Sequence, residues 1–242
     1  MTFSDGDFLK VDYTLWRIAD NKVLFTTQRE LAKKEGIEDE KANYSPHLMI
    51  VGKGNLVKGL DNAIRGMAVN EQKKIELEPS VAFGERRADL VSVIPISRFR
   101  SRDIEPYPGM TVELDGVSAM VKSVNSGRVL VDANHMLAGE KVAYEVKILE
   151  KIEKDDAKIS ALADEAKVKL TSVKVDSSKA TISIGKDVNK DAKYAVDKTM
   201  LIDSVLEYMP SIKSIEVNEE YAREEPKKEA KKEESEAKTE SK

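Results

Sequence analysis

The 242-residue sequence contains no cysteine and only two histidines, His47 and His135. The lack of cysteine excludes disulfides, thiolate metal sites and a cysteine nucleophile, and it leaves no sign of an oxidising compartment. Neither histidine lies in a spacing typical of zinc ligands, so no metal ion is expected. The glycines of Gly52-Lys53-Gly54 lack the spacing of a phosphate-binding loop. We therefore expect a protein that uses no cofactor.

An excess of charge of one sign is also lacking, because 40 Lys and Arg residues balance 44 Asp and Glu residues. A nearly neutral chain has no basic field to attract nucleic acid, so nucleic-acid binding is not expected. No apolar run approaches the roughly 18 residues that span a bilayer, and the N-terminal residues do not resemble a signal peptide. The sequence predicts a cytoplasmic protein with no membrane partner, and its charged, cysteine-free composition fits an archaeal source.

Apolar periodicity in the first part of the chain predicts an α+β unit. A helix is predicted over residues 55–68, with Asn55 as its N-cap, because apolar side chains recur there on one helical face. Alternating or short apolar runs predict strands at 8–18, 23–25, 46–52, 73–78 and 140–151. The charged segment between the second and third of these strands predicts a surface excursion with a short helix.

Three further segments differ in character from this first unit. Residues 88–132 consist of short β-prone runs separated by turn signals, which predicts a small inserted β domain. Residues 154–221 predict a C-terminal α+β domain with the element order αββαβ. Residues 222–242 carry seven acidic and seven basic side chains, so a disordered charged tail is predicted. The first unit is therefore expected to be discontinuous, comprising 1–87 and 133–153.

Four motifs occur in order along this first unit. They are Val11-Asp12-Tyr13-Thr14 with Val23-Leu24-Phe25, the stretch IVGKGNLVKGL at 50–60, Ala82-Phe83-Gly84, and Asn134-His135-Met136-Leu137-Ala138-Gly139 with Tyr144-Glu145-Val146. Together they resemble the FKBP family of peptidyl-prolyl cis-trans isomerases over about residues 5–150. The likeness extends to SlyD-like and long archaeal members, in which a β-rich module is inserted in the flap beside the active site.

The resemblance implies an antiparallel half-barrel wrapped on one helix, with an apolar pocket between them that catalyses prolyl isomerisation. The positions that match the family's catalytic pocket are Tyr13, Phe25, Leu56, Val57, Leu60, Phe83 and Tyr144. The backbone N–H of Val57 corresponds to the donor that binds a substrate carbonyl. The positions expected to border the substrate are His47, Met49, Met136 and Leu137. His135 is expected to bond to nearby backbone.

The insert has more apolar side chains than so small a module is expected to bury. We interpret part of them as a client-binding surface, made of Val91, Val93, Ile94, Ile96, Phe99 and Tyr107. The alternative is that they pack within the insert. The expected partners are unfolded or proline-containing polypeptides, together with a second copy of the chain bound through the C-terminal domain.

Three positions depart from the family's pattern, and one of them is Leu15, which stands where many relatives have Gly. Thr26 stands where the family usually has Asp, and Phe83 replaces the usual Tyr. Losing a polar partner from a partly buried site costs about 1–3 kcal/mol. The leading hypothesis is an isomerase with chaperone activity, and the alternative is a non-catalytic holdase or scaffold with an impaired pocket. Nickel delivery, as in tailed SlyD relatives, conflicts with a tail that has neither His nor Cys.

Overall fold

The computed structural model describes residues 2–54, 56–186, 188 and 191–221. The predicted N-cap Asn55 and the predicted tail 222–242 lie outside the described residues. The strands in chain order are β1 (Phe8–Arg17), β2 (Lys22–Thr26), β3 (His47–Ile50), β4 (Gln72–Leu77), β5 (Val91–Pro95), β6 (Thr111–Leu114), β7 (Val117–Asn125), β8 (Arg128–Asp132), β9 (Val142–Ile152), β10 (Ser172–Asp176), β11 (Lys179–Ile184) and β12 (Ser214–Glu219). The helices are α1 (Arg29–Lys34), α2 (Lys58–Arg65), α3 (Ser97–Arg100), α4 (Asp155–Glu165) and α5 (Ala192–Tyr208). The predicted α+β class is confirmed.

The first sheet is organised around the long strands β1 and β9. All of its pairs are antiparallel, with β9 between β1 and β4. The other edge of β1 is shared, because residues 8–11 pair with β3 and residues 14–17 pair with β2. The even positions of β9 from Val142 to Ile148 are all buried, as their alternation predicted. The first sheet therefore buries one face against α2.

Helix α2 is shorter than the predicted helix over 55–68. It begins at Lys58 and ends at Arg65, with Val57 and Gly66 at the capping positions. The prediction was wrong at both ends because Leu56 and Met67, which continue the apolar pattern, pack against the core from the flanking loops. Burial of a side chain in a loop cannot be distinguished by periodicity from burial in a helix.

The second sheet has the strand order β5-β8-β7-β6 and encloses its own apolar cluster. Helix α3, which the sequence did not predict, covers this cluster with Phe99, whose side chain is 0% exposed. The assignment of Phe99 to an exposed client surface was therefore wrong, since a lone sheet needs an apolar layer against its inner face. Ile94 and Ile96 are half-buried against the same cluster.

A polar network lies where the chain enters and leaves the second sheet. The Asp132 carboxylate is buried, pairs with Arg86, and accepts hydrogen bonds from the backbone N–H and side-chain amide of Asn134 at 3.0 and 2.7 Å. Burial opposes its ionisation, but the bonds from Asn134 together with the charges of Arg86 and Lys122 lower the pKa of Asp132. The Asn134 side chain also accepts from the Arg87 N–H and donates to the Arg87 carbonyl, at 2.8 and 2.9 Å. The segments that lead into and out of the second sheet are thus hydrogen-bonded to each other.

The third sheet joins the antiparallel hairpin β10–β11 to β12, which runs parallel to β11. Helices α4 and α5 complete the predicted order αββαβ. The apolar cluster of this region also includes Phe8, Ile50 and Ile152 of the first sheet. These three residues are register neighbours on β1, β3 and β9, so the C-terminal elements pack on the sheet face opposite α2. None of the helices in the described parts of the chain could span a bilayer.

Glu219 at the end of β12 gives a test of the C-terminal packing. Its carboxylate pairs with Lys198 of α5 and accepts a hydrogen bond from the Tyr194 hydroxyl at 2.8 Å. The bonds from Lys198 and then Tyr221 lower the pKa of Glu219 to about 2. Since this folded pKa lies below the unfolded value of about 4.3, the stabilisation is complete above about pH 5 and is lost as the pH falls toward 2.

We expect Glu219→Gln to lower the free energy of unfolding by about 1–2 kcal/mol near neutral pH and to weaken its dependence on acid. Urea unfolding at about pH 7 and about pH 3 measures both effects. Glu207→Gln, at an exposed position of α5, is the control. An equal loss of stability for Glu219→Gln at both pH values would contradict the prediction.

Candidate active site

Three rings from adjacent strands form one wall, which we call the aromatic wall (Tyr13, Phe25 and His47). Tyr13 of β1 stacks on Phe25 of β2 with a centroid separation of 5.1 Å. The His47 ring of β3 meets Tyr13 and Phe25 nearly edge-on, at 5.6 and 5.5 Å. The shared edge of β1 produces this arrangement, because β2 and β3 pair with consecutive parts of the same strand.

The remaining predicted pocket residues surround one apolar cluster next to this wall. Tyr144 of β9 lies 6.0 Å from Tyr13 between ring centroids. Leu60, Met49 and Leu137 are buried in the cluster, and Leu56, Val57 and Phe83 pack half-buried against it. Six of the seven predicted catalytic positions therefore lie in or against one cluster, and the seventh, Phe25, stacks on Tyr13 and is partly exposed.

An ion-pair network holds the loop that precedes α2. The Asp61 carboxylate accepts a hydrogen bond from the Gly52 N–H at 2.8 Å, and Arg65 bridges Asp61 and Asp5. Gly52 has a φ of +73°, and a Cβ there would lie 2.5 Å from the Asp5 carboxyl carbon, so another residue would strain the backbone and displace the Asp5 carboxylate. Among the described residues the Val57 N–H donates no hydrogen bond. The network thus fixes a loop that presents a backbone donor beside the cluster.

The segment between β8 and β9, which we call the return segment (residues 133–141), packs on Phe83. The Phe83 and His135 rings stack in parallel with centroids 4.5 Å apart. The Nδ1 atom of His135 accepts a hydrogen bond from the Leu137 N–H at 3.1 Å, as predicted for a backbone-bonded histidine. Met136 is 72% exposed, whereas its neighbour Leu137 is buried. The return segment therefore borders the site with the exposed side chain of Met136 and the buried side chain of Leu137.

The two tyrosine hydroxyls of the site remain protonated at neutral pH. Burial, followed by the charge of Glu165, raises the pKa of Tyr13 to about 12. Burial and the neighbouring Tyr13 also raise the pKa of Tyr144. A protonated phenol can donate a hydrogen bond to a carbonyl. Within the described residues no three His, Cys, Asp or Glu side chains are grouped to hold a metal ion.

Thr26 does not face this site. Its hydroxyl is buried, lies 2.9 Å from the Thr14 hydroxyl, and accepts a hydrogen bond from the Gln28 N–H at 3.1 Å. Thr14 and Tyr13 are consecutive residues of β1, so their side chains point to opposite faces of the sheet. The threonine in place of the family's aspartate is therefore part of a buried hydroxyl pair.

Glu165 is a neighbour of the site that sequence reasoning missed. It ends α4, and its Oε1 accepts a hydrogen bond from the Leu48 N–H of β3 at 3.0 Å. It is separated from Leu48 by 117 positions in sequence. No local pattern connects two residues so far apart, and charged residues are too common in this chain to single one out.

Comparison with known proteins identifies the class to which this site belongs. Residues 1–98 match the sequence profile of the FKBP-type peptidyl-prolyl cis-trans isomerases. Residues 92–137 match the profile described as the IF domain of FKBP26. The chain belongs to the FKBP-type peptidyl-prolyl cis-trans isomerase family, and the prediction of an isomerase is confirmed.

Individual relatives give the same result. The chain is 36% identical over 143 residues to a short-type peptidyl-prolyl cis-trans isomerase of Methanocaldococcus jannaschii, which covers 59% of this chain and 90% of the relative. It is 29% identical over 137 residues to the FKBP-type isomerase SlyD of Pasteurella multocida, covering 55% and 68%. It is 30% identical over 118 residues to an FKBP-type 16 kDa isomerase of Escherichia coli, covering 47% and 78%. These relatives favour the isomerase over the non-catalytic alternative.

Thr26→Asp tests whether the departure from the family's pattern impairs the site. We expect the variant to be less stable by about 1–3 kcal/mol, because a carboxylate replaces a buried hydroxyl, and to isomerise an X-Pro peptide no faster. Thr26→Ser, which keeps the hydroxyl, is the control. Urea unfolding and peptide isomerisation measure the two properties. A sharp rise in rate would instead show that Thr26 impairs the pocket.

Glu165→Gln tests the contact between α4 and the aromatic wall. Removing a nearby negative charge should lower the pKa of Tyr13, although burial should keep it above the ordinary value of about 10. The Tyr13 titration is obtained from ultraviolet absorbance as the difference between each protein and the same protein carrying Tyr13→Phe. Glu153→Gln, at an exposed position, is the control. An unchanged Tyr13 titration would show that Glu165 does not act on the hydroxyl.

Proposed function

We propose that the protein isomerises prolyl bonds in unfolded polypeptides at the site between the aromatic wall and α2, and holds those chains as a chaperone. The observation that carries the catalytic part is that Tyr13, Phe83, Tyr144 and Val57 pack in or against one apolar cluster and that Phe25 stacks on Tyr13. In this proposal the proline ring rests over Leu60, and the Val57 N–H and a tyrosine hydroxyl bind substrate carbonyls.

This chemistry needs no acid, base or cofactor. Rotation about an X-Pro bond has a barrier of about 18–20 kcal/mol because amide resonance is lost in the twisted state. A site that binds the twisted amide more tightly than the planar one lowers this barrier without moving a proton. Apolar and aromatic surroundings suit the twisted amide, whose charge separation is smaller, and fixed donors hold its carbonyl in place.

The insert supplies the surface for the chaperone part of the proposal. Val93 is 59% exposed and Tyr107 is 62% exposed. Val91 and Val93 share the face of β5 opposite Ile94, so this face is directed away from the insert's own core. Binding of a client there would raise the local concentration of its prolines at the site. Cytoplasmic location and a homodimer through the C-terminal domain remain predictions of the sequence.

Two variants separate the catalytic role from the chaperone role. Phe25→Ala removes an exposed wall ring, and Val93→Ser with Tyr107→Ser removes the apolar surface of the insert. The control is Val196→Ser with Met200→Ser, since these side chains are 58% and 56% exposed on α5. Each protein is assayed on a short X-Pro peptide and on the proline-limited refolding of a protein.

We expect Phe25→Ala to lower kcat/KM about tenfold on both substrates, because an aromatic contact and its apolar burial are lost. The insert variant should match the wild type on the peptide yet accelerate refolding severalfold less. Activity of Phe25→Ala equal to the wild type on the peptide would contradict the catalytic assignment. Refolding by the insert variant equal to that of the control would contradict the client surface.

A further inference from the structure

A cleft of about 590 Å³ lies directly beside the aromatic wall. Phe25 and His47 line one side, the loop at 42–46 lines the second, and Ala161, Asp164 and Glu165 of α4 line the third. Its volume falls within the roughly 300–1,000 Å³ typical of ligand sites. Because Phe25 and His47 belong to both the wall and the cleft, a chain that leaves the proline site on this side enters the cleft directly.

The hydrogen bond from Leu48 to Glu165 maintains this cleft. The Leu48 N–H lies on the edge of β3 that no other strand of the first sheet covers, and Glu165 accepts from it at 3.0 Å. The last turn of α4 is thereby held beside the strand that carries His47. The outer side of the cleft therefore comes from the C-terminal domain, outside the segment that matches the isomerase family.

A second cleft of about 480 Å³ continues the first along α4. The two share Lys10, Ala161 and Asp164, and the second extends to Glu150 and Lys154. The helix rises about 14 Å between residues 156 and 165. An extended chain covers that distance with about four residues. We call these two clefts together the α4 cleft.

We propose that the α4 cleft binds about four residues of the substrate polypeptide next to its proline, on the side that leaves past Phe25 and His47. This inference rests on the proposed function, because it assigns the proline to the neighbouring site. The lining offers Phe25, His47 and Ala161 for apolar contact. It also offers charges of both signs, Lys10, Lys154, Lys167, Asp156 and Asp164, which can pair with backbone carbonyls and N–H groups.

The balanced lining also predicts how selective the α4 cleft is. The cleft is lined by three lysines (Lys10, Lys154 and Lys167) and four carboxylates (Glu150, Asp156, Asp164 and Glu165). This near balance gives only a weak net field to attract a substrate of one charge. Extended substrates with acidic and with basic flanking residues should therefore be isomerised at similar rates, with little dependence on salt. Such tolerance suits a protein that acts on many unfolded chains.

Ala42→Trp tests the proposal in the full chain by filling the cleft from its exposed loop. The substrates are a short X-Pro peptide and two longer peptides, extended by about four residues before or after the proline. Ala195→Trp, at an exposed position of α5, is the matched control, and Asn43→Trp is a second filling variant. Circular dichroism and urea unfolding report whether each variant is folded.

We expect the wild type to favour one extended peptide over the short one, and Ala42→Trp to lower kcat/KM for that peptide about tenfold while leaving the short peptide unchanged. Equal rates of the filling variants and the control on both extended peptides would overturn the proposal. Loss of a dimer in Ala42→Trp, seen by sedimentation velocity, would also overturn it, because a second copy of the chain would then occupy the cleft.

A binding measurement distinguishes failure of this inference from failure of the proposed function. If the wild type does not isomerise the short peptide, the proposed function fails. Fluorescence anisotropy of the labelled extended peptides would still show weaker binding to Ala42→Trp than to Ala195→Trp if the α4 cleft holds the chain. Equal binding to the two variants overturns the cleft alone.

Discussion

The pairing of β1 is the constraint on which the rest of the structure depends. One edge of β1 is hydrogen-bonded to β9 along its whole length, and the other edge is divided between β3 and β2. This division brings Phe25 and His47 from different parts of the chain to the same ring of Tyr13. A slip of one residue in this register would turn Tyr13 to the opposite face and disperse the wall.

The two faces of the first sheet pack against different parts of the chain. The inner face packs on α2 and presents the candidate site, whereas Phe8, Ile50 and Ile152 on the outer face join the apolar cluster of the C-terminal elements. The sheet that orders the aromatic wall is therefore buried on both sides over part of its area. A catalyst that works by shape needs such rigidity, because small displacements of its walls change which amide geometry is bound best.

The sequence predicted the elements whose signals are local. The strands β1, β2 and β9 and the order αββαβ could all be read from periodicity and turns, and the ordered motifs named the residues that now surround the candidate site. The ends of α2 were missed because Leu56 and Met67 are buried in loops that continue the helical pattern. Phe99 was misassigned because the helix that buries it has only four residues. Glu165 left no signal, since its contact with Leu48 depends on how the units pack.

The bonds between Arg87 and Asn134 have a consequence for how such a chain can be assembled from parts. The backbone departs and comes back at neighbouring points, and β4 and β9 on either side of the insert pair directly with each other. The segment between Arg87 and Asn134 should therefore be replaceable by another domain or by a tight loop while β4 and β9 stay paired. One catalytic scaffold can in this way acquire new recognition surfaces in a single genetic step.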